Sequence, residues 1–132
     1  MADIAKSGTP SLATYLPPAT AQTAGLLAGE DLAAGDACYI KSDGKVWRST
    51  GAAANPAAKV RGFAAMATKA GEAITLFFDV TFRYGSGLTP GADYYLSGAT
   101  AGALADAAST GGTGPIAYAL DTTRIAVRRS TY

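Results

Sequence analysis

The sequence predicts an all-β domain, a compact barrel or sandwich of short antiparallel strands. From Gly25 onward, short apolar runs are separated by Gly, Pro, Asp and Asn, the punctuation of strands joined by turns. One run, from Ile74 to Tyr84, places Ile74, Leu76, Phe78, Val80, Phe82 and Tyr84 at strict period 2, with Phe77 the one apolar residue between them. No stretch of ten residues carries a continuous 3.6-residue apolar stripe, so nothing would hold a helix to a core.

Taken in order, residues 1–24 read as an extended N-terminal arm. Pro10, Pro17 and Pro18 interrupt any helix. A disordered tail stays open for this composition, but Ile4, Leu12, Tyr15 and Leu16 are spaced apolar anchors that a pure spacer would not need, as in an arm that orders on a partner. Residues 25–132 read as one β domain. Asp43-Gly44 lies between Cys38-Tyr39-Ile40-Lys41 and Lys45-Val46-Trp47-Arg48, and the pair favours the positive φ angles of a type I′ turn, so a hairpin is expected there. The run 74–84 is one long strand, or two strands in line with a bend near Asp79. Residues 99–108 are rich in alanine, but Leu104 is their only large apolar residue and Gly102 interrupts them, so no helix is expected. Ile116, Tyr118 and Leu120 alternate, as do Ile125 and Val127.

The β part reads as two copies of one phrase, over residues 32–78 and 88–129. Leu32-Ala33-Ala34-Gly35-Asp36-Ala37-Cys38-Tyr39-Ile40 aligns with Leu88-Thr89-Pro90-Gly91-Ala92-Asp93-Tyr94-Tyr95-Leu96. Further on, Val60-Arg61-Gly62-Phe63-Ala64 aligns with Pro115-Ile116-Ala117-Tyr118-Ala119, and Ile74-Thr75-Leu76 with Ile125-Ala126-Val127. Two similar β units, packed face to face or wrapped into a barrel, are expected.

Composition removes several classes of function. The 132 residues carry a formal charge of +1 and no histidine, so His-based acid–base catalysis, Ser-His-Asp triads and His metal ligands are out. A single cysteine makes no intrachain disulfide and no Cys-rich zinc site, and Cys38 reads as a buried structural thiol. Eleven basic against ten acidic residues give no polybasic field for nucleic acid. No apolar run approaches 18 residues, and no basic-then-apolar leader opens the chain, so neither a membrane partner nor a signal peptide is expected. Asp36, Asp43 and Asp93 sit at strand starts and in a turn, where carboxylates serve turn geometry. No catalytic, metal-binding or cofactor-binding residue is assigned, no small-molecule substrate is expected, and the chain reads as not an enzyme.

The remaining candidates are binding residues. Arg124, Arg128 and Arg129 cluster positive charge, and Arg124 and Arg128 lie an even number of residues apart, so a strand would put both on one face. A solvated face and contact with an acidic neighbouring surface both stay open. With Ile4, Leu12, Tyr15, Leu16, Pro17 and Pro18 of the arm they make up the candidate partner-binding set.

The phrase Gly35-Asp36-Ala37-Cys38-Tyr39-Ile40-Lys41-Ser42-Asp43-Gly44-Lys45-Val46, with Val60-Arg61-Gly62-Phe63-Ala64 and Leu88-Thr89-Pro90-Gly91-Ala92-Asp93-Tyr94-Tyr95-Leu96-Ser97, resembles the small Ala/Gly-rich head decoration (capsid cement) proteins of tailed bacteriophages. The resemblance spans residues 25–129. It implies a compact β domain, commonly a homotrimer, that binds the major capsid protein on the outside of an assembled capsid and stabilises the shell, an N-terminal arm often mediating attachment. It also implies a place on the capsid exterior of the virion after synthesis in the host cytoplasm. The alternative is a phage tail or fibre-associated binding module that recognises a host surface glycan, with Trp47, Tyr94 or Tyr95 as a stacking platform.

Overall fold

The computed structural model describes residues 3–14 and 16–132. Among these residues lie eleven strands: β1 (Ser11–Leu12), β2 (Gln22–Leu27), β3 (Ala37–Ile40), β4 (Val46–Arg48), β5 (Gly62–Ala64), β6 (Ala73–Phe77), β7 (Val80–Arg83), β8 (Asp93–Leu96), β9 (Leu104–Ala105), β10 (Ala117–Ala119) and β11 (Arg124–Val127). They form two antiparallel sheets that pack together as a sandwich, so the expected all-β class holds. The six-stranded sheet runs β1-β7-β11-β10-β8-β9 and the five-stranded sheet runs β2-β6-β5-β3-β4.

Apart from β1, the two orders are the same, with each strand of one sheet matched five strands later in the other. The turns match as well. Gly35 and Gly91 take φ +83° and +82°, and their N–H groups donate to Ala64 O at 2.7 Å and Ala119 O at 2.8 Å. Glycine meets that left-handed backbone at no steric cost. Ala64 N–H donates back to Asp36 O, and Ala119 N–H to Ala92 O, both at 3.0 Å. The matching layout takes in β2 and β7, which lie outside residues 32–78 and 88–129.

The sheets differ in what covers them. In the five-stranded sheet, Ala37 and Phe63 face the six-stranded sheet, and Phe77 packs against the same main core. Phe63 and Phe82 rings meet across the layers at 6.3 Å. The opposite parity, Cys38, Val46, Ala64, Ile74 and Leu76, forms a second cluster with Ala28 and Leu32. A strap covers that cluster, closed where Leu32 and Thr68 exchange backbone hydrogen bonds of 2.8 and 3.0 Å. The middle of this sheet, above all β5, is therefore buried on both faces while the edge strand β2 stays largely exposed, and the apolar Phe77 among otherwise polar odd positions fits that cover.

The run 74–84 forms two strands that belong to different sheets. The chain changes sheet at Asp79, whose φ is +53°, one of the few conformations Asp accepts there more readily than a β-branched residue. Ile74 and Leu76 enter the second cluster, and Val80, Phe82 and Tyr84 the main core. The hairpin at Asp43-Gly44 forms, but with a three-residue loop: Gly44 alone has positive φ, +81°, and its N–H donates to Lys41 O at 2.9 Å. The alternation at 116–120 also reads differently. Ala117 and Ala119 turn inward with Ile116, while Tyr118 is half-buried on the outer side and Leu120 is 39% exposed. Beneath a crowded aromatic core the small residues fill the inner positions.

Residues 3–14 lie along the body. Ile4 N–H donates to Leu104 O at 2.9 Å and Ser7 N–H to Tyr84 O at 2.9 Å, and Ser11 and Leu12 pair with Arg83 and Phe82. Lys6 Nζ bridges to the buried Asp36 carboxylate at 2.8 Å and to Ala34 O at 3.0 Å. Ala21 is in the main core, and residue 24 falls inside β2.

Candidate functional site

The six-stranded sheet has one face on the core and one uncovered. Ile125 and Val127 point inward, so Arg124 and Ala126 of β11 point outward. Register aligns Ala126 with Tyr118 of β10 and Thr81 of β7, Tyr118 with Asp93 of β8, and Arg124 with Arg83 of β7. Their outward side chains make a polar face with a half-buried tyrosine at its centre.

At one end of this face lie two adjoining clefts. One, of about 310 Å³, is lined by Arg61, Asp79, Arg128, Arg129, Ser130 and Thr131. The other, of about 290 Å³, shares Asp79 and Arg128 and adds Thr14, Thr81, Tyr118 and Ala126. Arg128 Cζ stands 5.0 Å from the Tyr118 ring centroid, and Arg129 Cζ 4.1 Å from that of Phe78. Stacking on an aromatic face holds a guanidinium plane while leaving its N–H edge free. Thr14 Oγ1 accepts from Thr81 N–H at 2.8 Å, tying the N-terminal segment to the rim.

Arg124 is engaged otherwise. Its Nε donates to Asp121 Oδ2 at 2.7 Å, and Asp121 Oδ1 accepts from the N–H groups of Thr123 at 2.9 Å and Arg124 at 2.7 Å. Those backbone donors, then the guanidinium, hold the Asp121 carboxyl well below the usual carboxylate range. The two strand-face arginines thus divide, Arg124 closing a turn and Arg128 facing the cleft.

The arm residues divide too. Ile4 and Leu12 pack against the chain's own core. Leu16 is 78% exposed at φ +55°, Pro18 is exposed, and Pro17 is half-buried beside it. Gln22 Nε2 donates to Pro17 O at 3.2 Å and to Pro18 O at 3.3 Å, holding this loop in place. Tyr15 lies outside the described residues. Arg61 and Thr14 are cleft residues that the sequence alone does not single out, and Asp79 and Tyr118 are read there only as a bend and as part of an alternation. Arg61 stands 67 positions from Arg128, and Tyr118 sits in an alternation that reads as core.

One face of the Trp47 indole lies under Lys41 Nζ, 4.5 Å from its centroid, and a Cβ at Gly29 would run into the same ring. Trp47 Nε1 donates to Asp43 Oδ2 at 3.3 Å. Tyr94 is buried, its hydroxyl accepting from Thr89 N–H at 3.2 Å, and Tyr95 is half-buried on the outer side of β8. Cys38 is fully buried, and burial followed by the Asp36 charge pushes its thiol well above the usual range. Among the described residues no group of three or more Cys, Asp or Glu side chains is placed to hold a metal ion, and no helix is long and apolar enough to cross a membrane.

The fold and this surface define a β-sandwich with one polar, arginine- and tyrosine-bearing face left open. No protein-family model matches the chain, and a search of curated proteins finds no match to it.

Proposed function

We propose that the chain is a structural virion protein that docks on the outer surface of an assembled bacteriophage capsid and stabilises it. The observation that carries this reading is the uncovered face of the six-stranded sheet, where Arg128, Arg129 and Tyr118 stand without covering elements while the matching face of the five-stranded sheet is covered. The resemblance over residues 25–129 supports it. So does the Leu16-Pro17-Pro18 loop, which exposes Leu16 and Pro18 and follows Thr14 at the rim of that face. A lattice binder needs area and shape, and repetition on a symmetric shell multiplies weak contacts through avidity.

In this reading the two sheets are two copies of one β unit, residues 3–14 tie the units together, and the 16–18 loop is the part of the N-terminal segment that reaches a partner. The chain acts as a homotrimer over the joints between copies of the major capsid protein. The test is to add the purified chain to purified heads of the virus that encodes it, then sediment and melt the particles. The expected result is a copy number comparable to that of the coat protein and a raised particle melting temperature. Absence from the pellet, or a few copies per particle, would sink the proposal. Light scattering of the free chain and cryo-electron microscopy of the loaded particle test the trimer separately.

A further inference from the structure

We infer that the cleft lined by Arg61, Arg128 and Arg129 is a carboxylate-binding site, taking an acidic side chain from a peptide segment of a protein partner. The inference rests on the docking reading for where that partner stands, and adds the chemistry by which it is held.

Of the three other arginines, Arg48 and Arg124 are already paired with carboxylates, and among the described residues Arg83 has no such partner. Arg48 meets Glu30 at 3.1 Å and Arg124 meets Asp121 at 2.7 Å. Among the described residues, Arg61, Arg128 and Arg129 have no carboxylate within ion-pairing distance, although Asp79 lines the same cleft. Three guanidinium groups against one carboxylate make this cleft strongly positive in a chain whose total charge is only +1. Leaving three like charges side by side costs free energy unless an anion joins them.

Geometry favours a forked anion. Arg128 lies over the Tyr118 ring and Arg129 over the Phe78 ring, contacts that restrict both side chains before any ligand arrives and so lower the entropy lost on binding. A guanidinium edge pairs with a carboxylate through two parallel N–H···O bonds. The adjoining cleft, with the hydroxyls of Thr14, Thr81 and Tyr118 and the methyl of Ala126, suits the residues next to the acid in an extended segment. A nucleic acid fits less well. It asks for a track of cations along successive phosphates, whereas these cations line one small cleft with Asp79 in its wall.

The test uses the full chain and an oligoglutamate peptide as probe, followed by calorimetry at low salt. The expected result is saturable binding that weakens as salt is raised. The double variant Arg61→Gln/Arg128→Gln should lose about tenfold or more in affinity, as expected for two charge-assisted contacts. Arg48→Gln, which removes a cation on the five-stranded sheet, should stay within about twofold of the parent. All of these side chains are exposed, so the variants should melt like the parent, and a melt on each confirms that the comparison is between folded proteins. Absence of saturable oligoglutamate binding would overturn the inference, as would an equal loss in Arg48→Gln, or tighter binding of an oligothymidylate that the double variant abolishes. Particle docking is measured on the same proteins. Docking without oligoglutamate binding overturns the cleft and leaves the docking reading standing; oligoglutamate binding without docking does the reverse.

Discussion

Phe63 and Tyr118 hold the same place in the two sheets, on β5 and β10, and live in different surroundings. Phe63 is fully buried between the layers, while Tyr118 is half-buried on an open face with Arg128 against its ring. The same strand order thus serves two purposes. The five-stranded sheet packs both faces at its centre, one against its neighbour sheet and one beneath the segments that Leu32 and Thr68 join. The six-stranded sheet packs one and keeps the other for solvent or a partner. In a sandwich whose layers share one plan, the position of a layer decides which residues hold the fold and which are free for recognition.

Substitutions at matched places should separate the two roles. Phe63→Ala removes a buried ring and its contact with Phe82, and should cost about 3–5 kcal/mol in chemical denaturation. If the cost were close to that of Tyr118→Ala, the layers would not differ as described. Lys6→Ala leaves the Asp36 carboxylate, 5% exposed, without its cation. Asp36 Oδ2 keeps the Ala33 N–H at 2.8 Å, and Lys6 is partly open to solvent, so a loss of about 2 kcal/mol is expected. A melt unchanged by this substitution would show that the N-terminal segment does not clamp the body.

Gly62 and Ala117 make a further matched pair. A Cβ at Gly62 would stand 2.7 Å from Leu76 Cβ and 3.2 Å from Phe77 O, whereas β10 already carries alanine there. Gly62→Ala should therefore destabilise by about 1–2 kcal/mol through overpacking, measurable as a lower denaturation midpoint. Tyr118→Ala should cost less than about 1 kcal/mol, yet weaken particle docking, because it removes the surface that orients Arg128. Asp121→Asn should have the smallest effect. Its carboxyl is held below the ordinary value of 3.8, so the stability it contributes is present above about pH 4 and lost as pH falls through the folded value. The variant should match the parent's melting temperature in strong acid and fall slightly below it at neutral pH. A gap that widened toward acid would reverse that assignment.

Much of this plan can be read from the residues in line. The alternation of 74–84 marks strands, and Gly35 and Gly91 mark equivalent turns. The same alternation reads as one buried and one largely wet face with Phe77 as an exception, and it is the second cluster against β6 that explains the exception. The Leu120 and Tyr118 alternation misleads because alanine is weighed as neutral, while in this core Ala117 and Ala119 are the residues that fit. The cleft is barely legible. Arg128 and Arg129 stand out as a charge cluster, but nothing near Arg61 says that it joins them, or that Arg124 is withdrawn by its own turn.

By itself, then, the sequence determined the all-β class, the strands of 74–84, the hairpin at Asp43-Gly44 and the absence of histidine chemistry, because side-chain period, positive-φ glycines and composition are local properties. Only the tertiary structure decided that the chain changes sheet at Asp79, that Ile4 and Leu12 are used internally, and which sheet face stays open. Those outcomes depend on contacts such as Lys6 with Asp36, 30 residues apart, and Thr14 with Thr81, 67 apart. A face is covered or bare according to what folds onto it from elsewhere, and no local pattern carries that.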